Sequence, residues 1–455
     1  MDKNKIFKGL SLLFLTRKDN YCKIINMKNF VLISPNFPET YYQFAVALRN
    51  VGFRVLGIGD QPYDELKPEL REALHEYYKV NVMDNFDEEK EAVGYFERKY
   101  GHIDFLESNN EYWLRKDARL RDLFCIDTGL REHELDTYQR KSMMKACFEK
   151  AGVKVAPYIL VSDFESLEKF AEKNGYPLFV KPDIGVGAEE SFKISNFDEL
   201  KAFYNKKPEN VQYICERFVS GDIVTFDGIA DQNSNVVFMA SLECPPSISD
   251  VLIMGKEFCY YSNPFIDEKF EEIGRKTVKA FGLKKRCFHI EFFRVNKKIK
   301  GFVDVGDIVG LEVNIRTPGG YSPDMHNYAN SVNMYQIYAD TMADLPPRPT
   351  YPLKYYCATA SRRDNVEYFY TDDDVKRTYA NELVGAGRYP DVLSGVMGNR
   401  FFMAKFNNIK DVMIFNEYVS RKTMPEEPKT SKGSRSMFKK GSSKENICDT
   451  HIDGA

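Results

Sequence analysis

The run Gly310–Gly320, GLEVNIRTPGG, sets Glu312, Asn314 and Arg316 two residues apart. In an extended strand alternate side chains share a face. A carboxylate, an amide oxygen and a guanidinium would then line one side, with Val313 and Ile315 turned to the core. Pro318-Gly319-Gly320 next turns the chain and bares backbone N–H groups. Oxygen ligands beside a fixed cation suit Mg²⁺ and the phosphates it carries. By itself the pattern reads as well as a half-buried strand with a polar outer face, so the rest of the chain has to decide.

His289 and Glu291 alternate with Phe288, Ile290 and Phe292 along Cys287–Val295 and so share a strand face. A second carboxylate near Glu312 would be costly unless a cation joined the two. That argument puts a metal between the two strands, with His289 beside the ligands rather than among them. Lys181 leaves the strand Pro177–Lys181 and is followed by Asp183–Ser191, DIGVGAEES. Its Gly185-x-Gly187 lets backbone N–H groups approach an anion. No GK[ST] follows, so it is not a Walker A loop, and a glycine turn accounts for it equally. Lys141, on a helix, is open to the same two readings. Glu216 and Asp222 bracket a strand-to-loop hinge that offers acceptors to an adenine amino group and a ribose; a pair of surface carboxylates is the plainer account.

These residues need strands, and the sequence supplies them. Phe30–Ser34 and Arg54–Ile58 are apolar runs separated by a helical pattern over Thr40–Asn50 that stops at Gly52. Tyr77–Val82, a helix over Glu88–Tyr100 and Ile103–Leu106 continue the alternation, which predicts a doubly wound, mostly parallel sheet. Ser108–Glu111 follows a strand's carboxyl end, where such sheets bind ligands, although capping the next helix also explains it. Further on, the pattern predicts a helix over Leu135–Ala151 carrying Arg140, Lys141 and Lys145, then a strand over Val153–Val161. A helix over Ser162–Asn174 would be capped by Ser162 or Asp163, and another covers Ser195–Tyr204. Val211–Glu216 is a strand, and Ile223–Ala230 pairs with Asn235–Ala240 as a hairpin. Residues 242–264 read as a long loop, Asp267–Phe281 as a helix, and Gly301–Asp304 as the partner of Cys287–Val295. A long helix is expected over Asn327–Met342. Pro346–Pro352, with four prolines in seven residues, reads as a linker, and Tyr355–Asn416 as a small β-rich region.

The 455 residues allow two to four domains, and 43% hydrophobic with 29% charged residues is ordinary for a globular chain. A net charge of −3 argues against a general nucleic-acid binder. The nine cysteines are scattered and form no CxxC, so neither a zinc site nor a redox dithiol is indicated, and reduced thiols in the cytoplasm are expected. No stretch has the length to cross a bilayer, and Phe7–Leu15, followed by Arg17 and Lys18, lacks a cleavage signature. From Arg421 eight Lys/Arg and five Asp/Glu accompany few apolar residues, a composition expected to be disordered.

Taken in order, the motifs resemble the ATP-grasp superfamily, and most closely its carboxylate–amine ligases, such as L-amino acid and dipeptide ligases. A Lys in a helix before an AGV turn (Lys141, Ala151-Gly152-Val153) comes first, then FVKP (Phe179–Pro182) and the glycine loop. E-x-F-V-x-G follows at Glu216–Gly221, H-x-E at His289–Glu291, and E-x-N-x-R-x-x-G-G at Glu312–Gly320. The resemblance covers residues 29 to 345, and more loosely to 420. It implies an α/β architecture with an N-terminal extension (1–27), a Rossmann-like domain preceding the ATP-grasp part (28–133) and a small lid subdomain (134–210). A large subdomain (211–345), a β-rich C-terminal region (346–420) and the tail (421–455) would follow.

The resemblance also implies roles. Lys141 and Lys181 would hold ATP phosphates under a loop containing Gly185 and Gly187. Glu216 and the backbone at Phe218 would read the adenine, and Asp222 the ribose. Glu291, Glu312 and Asn314 would bind Mg²⁺ or Mn²⁺, two ions in all, with Glu312 bridging. Arg316 and the N–H groups of Gly319 and Gly320 would steady an acyl phosphate and the tetrahedral species after it. The implied activity joins a small carboxylate to an amine at the expense of ATP, without nucleic acid or membrane, in a chain that could be a homodimer. A non-catalytic ATP-binding scaffold on the same fold is the alternative, and a phosphotransferase a weaker one. Three departures stand out: Arg140 where Asp is usual, Ala188-Glu189-Glu190 in the phosphate loop, and the ribose acid one position early at Asp222.

Overall fold

Short apolar runs flanked by helices give the first layer. β1 (Asn29–Ile33), β2 (Arg54–Gly59), β3 (Glu76–Lys79) and β4 (Phe105–Glu107) form a wholly parallel sheet in the order β3-β2-β1-β4. This is the doubly wound unit that the alternation predicts. The computed structural model describes residues 27–185, 190–244, 257–348 and 353–423. The expected extension up to residue 26, Gly187 and Glu189, much of the expected 242–264 loop, the end of the proline-rich linker and the tail from 424 lie outside them. Helix Tyr42–Asn50 turns Phe44 onto Tyr335 and Tyr338 of helix Met334–Met342, ring centroids 4.9 Å apart in each case. That aromatic packing fastens the first sheet to the centre of the molecule.

The strand expected over Val153–Val161 is two strands, β5 (Lys154–Val155) and β6 (Tyr158–Leu160), split at Ala156-Pro157 and sent to different sheets. Proline removes a ladder donor, so one continuous strand cannot form there. β6 joins β7 (Leu178–Pro182), β8 (Phe192–Ile194) and β9 (Tyr213–Arg217) in an antiparallel sheet ordered β6-β9-β7-β8. Helices Phe164–Asn174 and Phe197–Lys206 cover it, capped by the side chains of Asp163 and Asn196.

β5 borders the largest sheet. It runs β16-β17-β15-β12-β11-β10-β13-β14-β5, built from β10 (Gly221–Ala230), β11 (Val236–Cys244), β12 (Cys259–Asn263), β13 (Arg286–Val295), β14 (Ile308–Asn314), β15 (Tyr356–Arg362), β16 (Leu383–Arg388) and β17 (Arg400–Phe406). Every pairing but β14 with β5 is antiparallel. The described parts of the expected 242–264 loop are therefore strand: β11 runs on to Cys244 and β12 pairs with both β11 and β15. Aromatic residues such as Tyr260 and Tyr261 pack well on a pleated surface, and sheet neighbours decided what local polarity did not. The strands beyond residue 355 extend the central sheet rather than building one of their own, and helices Asp372–Thr378 and Ile409–Ser420 lie among them. Gly301–Asp304 makes only the bridge Ile299 to Val303; the antiparallel neighbours of β13 are β10 and β14.

Two expected helices are broken. Asn327–Met342 is replaced by Ser322–Asn330 and Met334–Met342, with Ser331 left-handed at φ 53° and the Asn333 side chain capping the second. Leu135–Ala151 is interrupted at Arg140, whose extended backbone bridges Ile184. That second break matters to the site.

Candidate active site

Because the chain is extended at Arg140, Lys141 opens a new helix, Lys141–Lys150, against the glycine loop. The helix N-terminus is satisfied from outside: Lys141 N donates to Asp183 O at 2.8 Å and Ser142 N to Asp183 Oδ1 at 2.8 Å. Lys141 Nζ donates to Gly185 O at 2.7 Å and stands 4.0 Å from Glu312 Oε1. One buried ammonium thus links the glycine loop to the strand that carries the Glu-x-Asn-x-Arg motif.

One helical turn on, Lys145 faces the same way. Its Nζ lies 3.1 Å from Glu216 Oε2, while Lys181 Nζ, at the exit of β7, lies 3.1 Å from Glu216 Oε1. Burial pushes the Glu216 carboxyl up, but Lys145 and Lys181 outweigh it and hold the group below its usual range. Burial lowers the Lys145 ammonium. Lys145 Nζ and Glu216 Oε1 are buried, and their contacts are these ion pairs. Reading the sequence singles out Lys141 and passes over Lys145; its spacing of four from Lys141 was the available signal. Phe218 follows β9, half-buried, with Lys193 Nζ 4.4 Å above its ring. Asp222 is exposed at the start of β10, where Asn296 Nδ2 reaches it at 3.4 Å, and among the described residues no ion pair ties it to the Glu216 cluster. Glu190 accepts from Tyr213 OH at 3.2 Å.

β13 and β14 hold the acidic end. Glu291 and Glu312 are direct cross-strand partners, and His289 stands opposite Asn314. The register slips between Glu291 and Phe292, where Leu311 is the extra residue of a bulge; bulges re-aim side chains in this way. Gly310 precedes the bulge because a Cβ there would come within 2.6 Å of the Phe148 ring. About a fifth of each carboxylate is exposed. His289 donates from Nδ1 to Asp227 Oδ1 at 2.7 Å and from Nε2 to Glu291 Oε1 at 3.1 Å. Burial would lower this imidazole, but Asp227 and Glu291 carry it up to about 9. Burial would raise Glu291, but His289 draws it below its usual value. Two carboxyl groups and an amide oxygen form a hard oxygen set of the kind Mg²⁺ prefers, with further positions left to water and phosphate. Among the described residues, no three His, Cys, Asp or Glu side chains cage an ion by themselves.

Arg316 lies just beyond β14. Its Nη1 donates to Thr317 O at 2.8 Å, and its Nε faces Glu111 Oε2 at 3.8 Å. Both of those facing atoms are buried without a hydrogen bond. Burial raises the Glu111 carboxyl against the pull of Arg316. The loop Ser108–Glu111 is divided in its work. Ser108 Oγ donates to Asp117 at 2.6 Å, a local structural bond, and Asn109 is left-handed at φ 55°. Asn110 and Glu111 instead reach the site. A pocket opens here between Phe37–Tyr41, Asn110, Arg316, Gly319-Gly320-Tyr321 and Leu393. Tyr41 OH bonds to Thr317 Oγ1 and donates to Asn109 O at 3.1 Å, joining the first sheet's loops to the double-glycine turn. Beyond the double glycine, Tyr321 lines this pocket, whereas Asp324 and His326 are engaged elsewhere. Asp324 is tied to Gln43 and Tyr335, and His326 is fully buried against Asp227 and Ser262.

Residues 140–301 match the family described as the carbamoyl-phosphate synthase L chain, ATP binding domain. An L-arginine-specific L-amino acid ligase of Bacillus subtilis is 24% identical over 229 residues, 49% of this chain and 53% of that one. The chain thus spans about half of that relative. A D-alanine–D-alanine ligase of Arthrobacter is 42% identical over 67 residues, 13% of this chain and 17% of that one. Among solved structures, L-amino acid ligase from Bacillus licheniformis superposes with a TM-score of 0.63 at 16% identity, over 87% of this chain and 97% of that one. The biotin carboxylase domain dimer of Hydrogenobacter thermophilus 2-oxoglutarate carboxylase, solved with MgADP, ADP and bicarbonate, gives 0.60 at 17% identity, over 83% and 86%.

Proposed function

Since this chain is an ATP-grasp protein, we propose that it is a Mg-ATP-dependent ligase that activates a small carboxylate as an acyl phosphate, couples it to an amine and releases ADP and phosphate. The observation that carries the reading is the facing pair Glu291 and Glu312, with Asn314 beside them and the Lys141 ammonium 4.0 Å from Glu312. Those carboxylates and Asn314 would hold Mg²⁺ or Mn²⁺, up to two ions, which when bound neutralise the charge of the transferring phosphoryl group.

The chain's own residues do the rest. Lys141 and Lys181 hold the phosphates under the loop containing Gly185 and Gly187. Glu216, with its two ammonium neighbours, and the backbone at Phe218 meet the adenine, and Asp222 the ribose. The substrate carboxylate attacks the γ-phosphorus, the bond to the β-phosphate oxygen breaks, and ADP leaves. An amine then attacks the acyl carbon, loses its proton and expels phosphate. Arg316 and the N–H groups of Gly319 and Gly320 stabilise the oxyanion of that second step. Alignment and exclusion of water protect the acyl phosphate from hydrolysis.

An amino acid is the substrate class best supported. Arg316 Nε and Glu111 Oε2, an ion pair at 3.8 Å in which neither atom makes a hydrogen bond, offer a donor and an acceptor to a zwitterion, while Phe37, Pro38 and Leu393 supply apolar wall. Most of the described cysteines are buried free thiols, in keeping with a cytoplasmic setting. A homodimer is part of the reading, supported by the dimer of the biotin carboxylase domain. The test is ADP release with Mg-ATP against mixed amino acids, with mass analysis of products. Phosphate appearing as free ion together with an amide supports a ligase. A phosphate ester instead points to a phosphotransferase. Tight ATP binding with no turnover for any pair favours the scaffold.

A further inference from the structure

Asp227 is an ionised carboxylate at the centre of the largest sheet, 1% exposed, on a strand that bears none of the residues assigned to nucleotide or metal other than Asp222. Three groups donate to it: Thr225 Oγ1 at 2.6 Å, His289 Nδ1 at 2.7 Å and His326 Nε2 at 3.0 Å. His289 is its direct cross-strand partner on β13 and passes on to Glu291 at 3.1 Å. His326 belongs to helix Ser322–Asn330, which begins two residues after Gly320, and its Nδ1 accepts from Ser262 Oγ on β12 at 2.8 Å. Thr225 in turn accepts from Leu242 N at 2.8 Å. The network ends on Glu291, whose side chain is partly exposed, whereas Asp227, His289 and His326 are buried.

A buried charge is a costly way to hold a core, and an apolar side chain would pack there at lower cost. A satisfied polar network does what apolar packing does not: it fixes direction. We infer that Asp227 is a positioning residue for the cation site, setting Glu291 through His289 and, through His326, anchoring the helix that follows the Gly319-Gly320 turn to the same sheet. The two arms of the reaction centre, the metal carboxylates and the turn behind Arg316, then share one reference point. This inference rests on the reading of Glu291 as a cation ligand.

The test is Mn²⁺ binding to the full-length chain with ADP, followed by electron paramagnetic resonance, beside ADP binding measured in EDTA. Asp227→Asn keeps the shape but cannot accept from both imidazoles. The expected result is Mn²⁺ affinity lower by about tenfold or more, the scale seen when outer partners of metal ligands are removed, with metal-free ADP affinity unchanged. Unchanged Mn²⁺ affinity in a folded Asp227→Asn overturns the inference and leaves the ligase reading standing. Should Asp227→Asn fail to fold, Thr225→Val removes a single donor, and a loss of Mn²⁺ affinity in the same direction is required; none overturns the inference. Wild-type protein with ADP that takes up no Mn²⁺, or a Glu291→Gln variant that binds it as tightly as wild type, sinks the metal-site reading and this inference with it.

Discussion

Glu291 and Glu312 stand directly opposite each other across β13 and β14. Two like charges paired in this way repel; His289 beside Glu291 and Lys141 beside Glu312 oppose that repulsion, and a cation shared between the carboxylates would oppose it further. Glu312→Gln should therefore leave the melting temperature in EDTA unchanged or raise it, while abolishing the extra stabilisation that Mg²⁺ gives in the presence of ADP. Thermal melts with and without metal check both halves. ADP release should fall by at least about a hundredfold, on the scale of losing a transition-state charge partner.

Arg316 extends from the end of β14 with its Nε 3.8 Å from Glu111 Oε2, an ion pair without a hydrogen bond. Arg316→Ala should lower kcat by roughly 10²–10³-fold with ATP affinity unchanged, because in the proposed reaction the guanidinium meets the acyl group and not the nucleotide. Steady-state kinetics beside a nucleotide titration separate the two. Glu111→Gln should act on KM for one of the two organic substrates instead.

Lys145 and Lys181 each occupy one oxygen of buried Glu216. Lys145→Met leaves that carboxylate with one cation, and breaking a buried pair costs roughly 3–5 kcal/mol. Denaturant melts measure it. The double variant Lys145→Met/Glu216→Gln should recover only part of the stability, because buried Lys181 then loses its carboxylate, and it should not recover ATP binding, since Glu216 is the proposed adenine acceptor.

Burial raises Glu89, on helix Phe86–Tyr100, to about 7 and Asp117, on helix Leu114–Leu123, to about 6. Their ordinary values are 4.5 and 3.8. A carboxyl raised on folding stays protonated in the fold while the unfolded chain has already ionised. The unfolded state therefore binds fewer protons over that interval, and stability falls as pH rises from about 4 to about 7, then levels. Glu89→Gln should flatten this slope in a melting temperature–pH series; an unchanged slope would mean that Glu89 ionises normally in the fold.

Gly310 has no room for a methyl group against Phe148, 2.6 Å away from an added Cβ. Gly310→Ala should destabilise by about 1–3 kcal/mol through overpacking. It should also weaken Mg²⁺ binding, since the bulge that sets Glu312 begins there. Phe148→Leu in the same chain should restore part of the stability.

Much of the site was legible because its residues are local in sequence. Alternation along Gly310–Gly320 and Cys287–Val295 put the right side chains on one face, since a strand's period of two does not depend on what surrounds it. The alternating unit at the start was equally readable, its strands being short apolar runs between amphipathic helices. The helix over Leu135–Ala151 was not. Its break at Arg140 exists only because Ile184, far along the chain, offers a bridge, and that break is what turns Lys141 toward Gly185.

The sequence by itself determined the order of the motifs on which the proposed chemistry rests: the lysines, the glycine loop, Glu216, the carboxylates Glu291 and Glu312, and Arg316. It did so because each motif is written within a few residues of backbone of known period. Tertiary structure alone decided the partnerships: Glu291 with Glu312 in a bulged register, Lys145 with Glu216, Glu111 with Arg316, and Asp227 with two imidazoles. Those pairs lie up to 205 residues apart, from Glu111 to Arg316. No local propensity encodes them, and only the closing of the sheets brings such charges near enough to shift, pair or wait for a ligand.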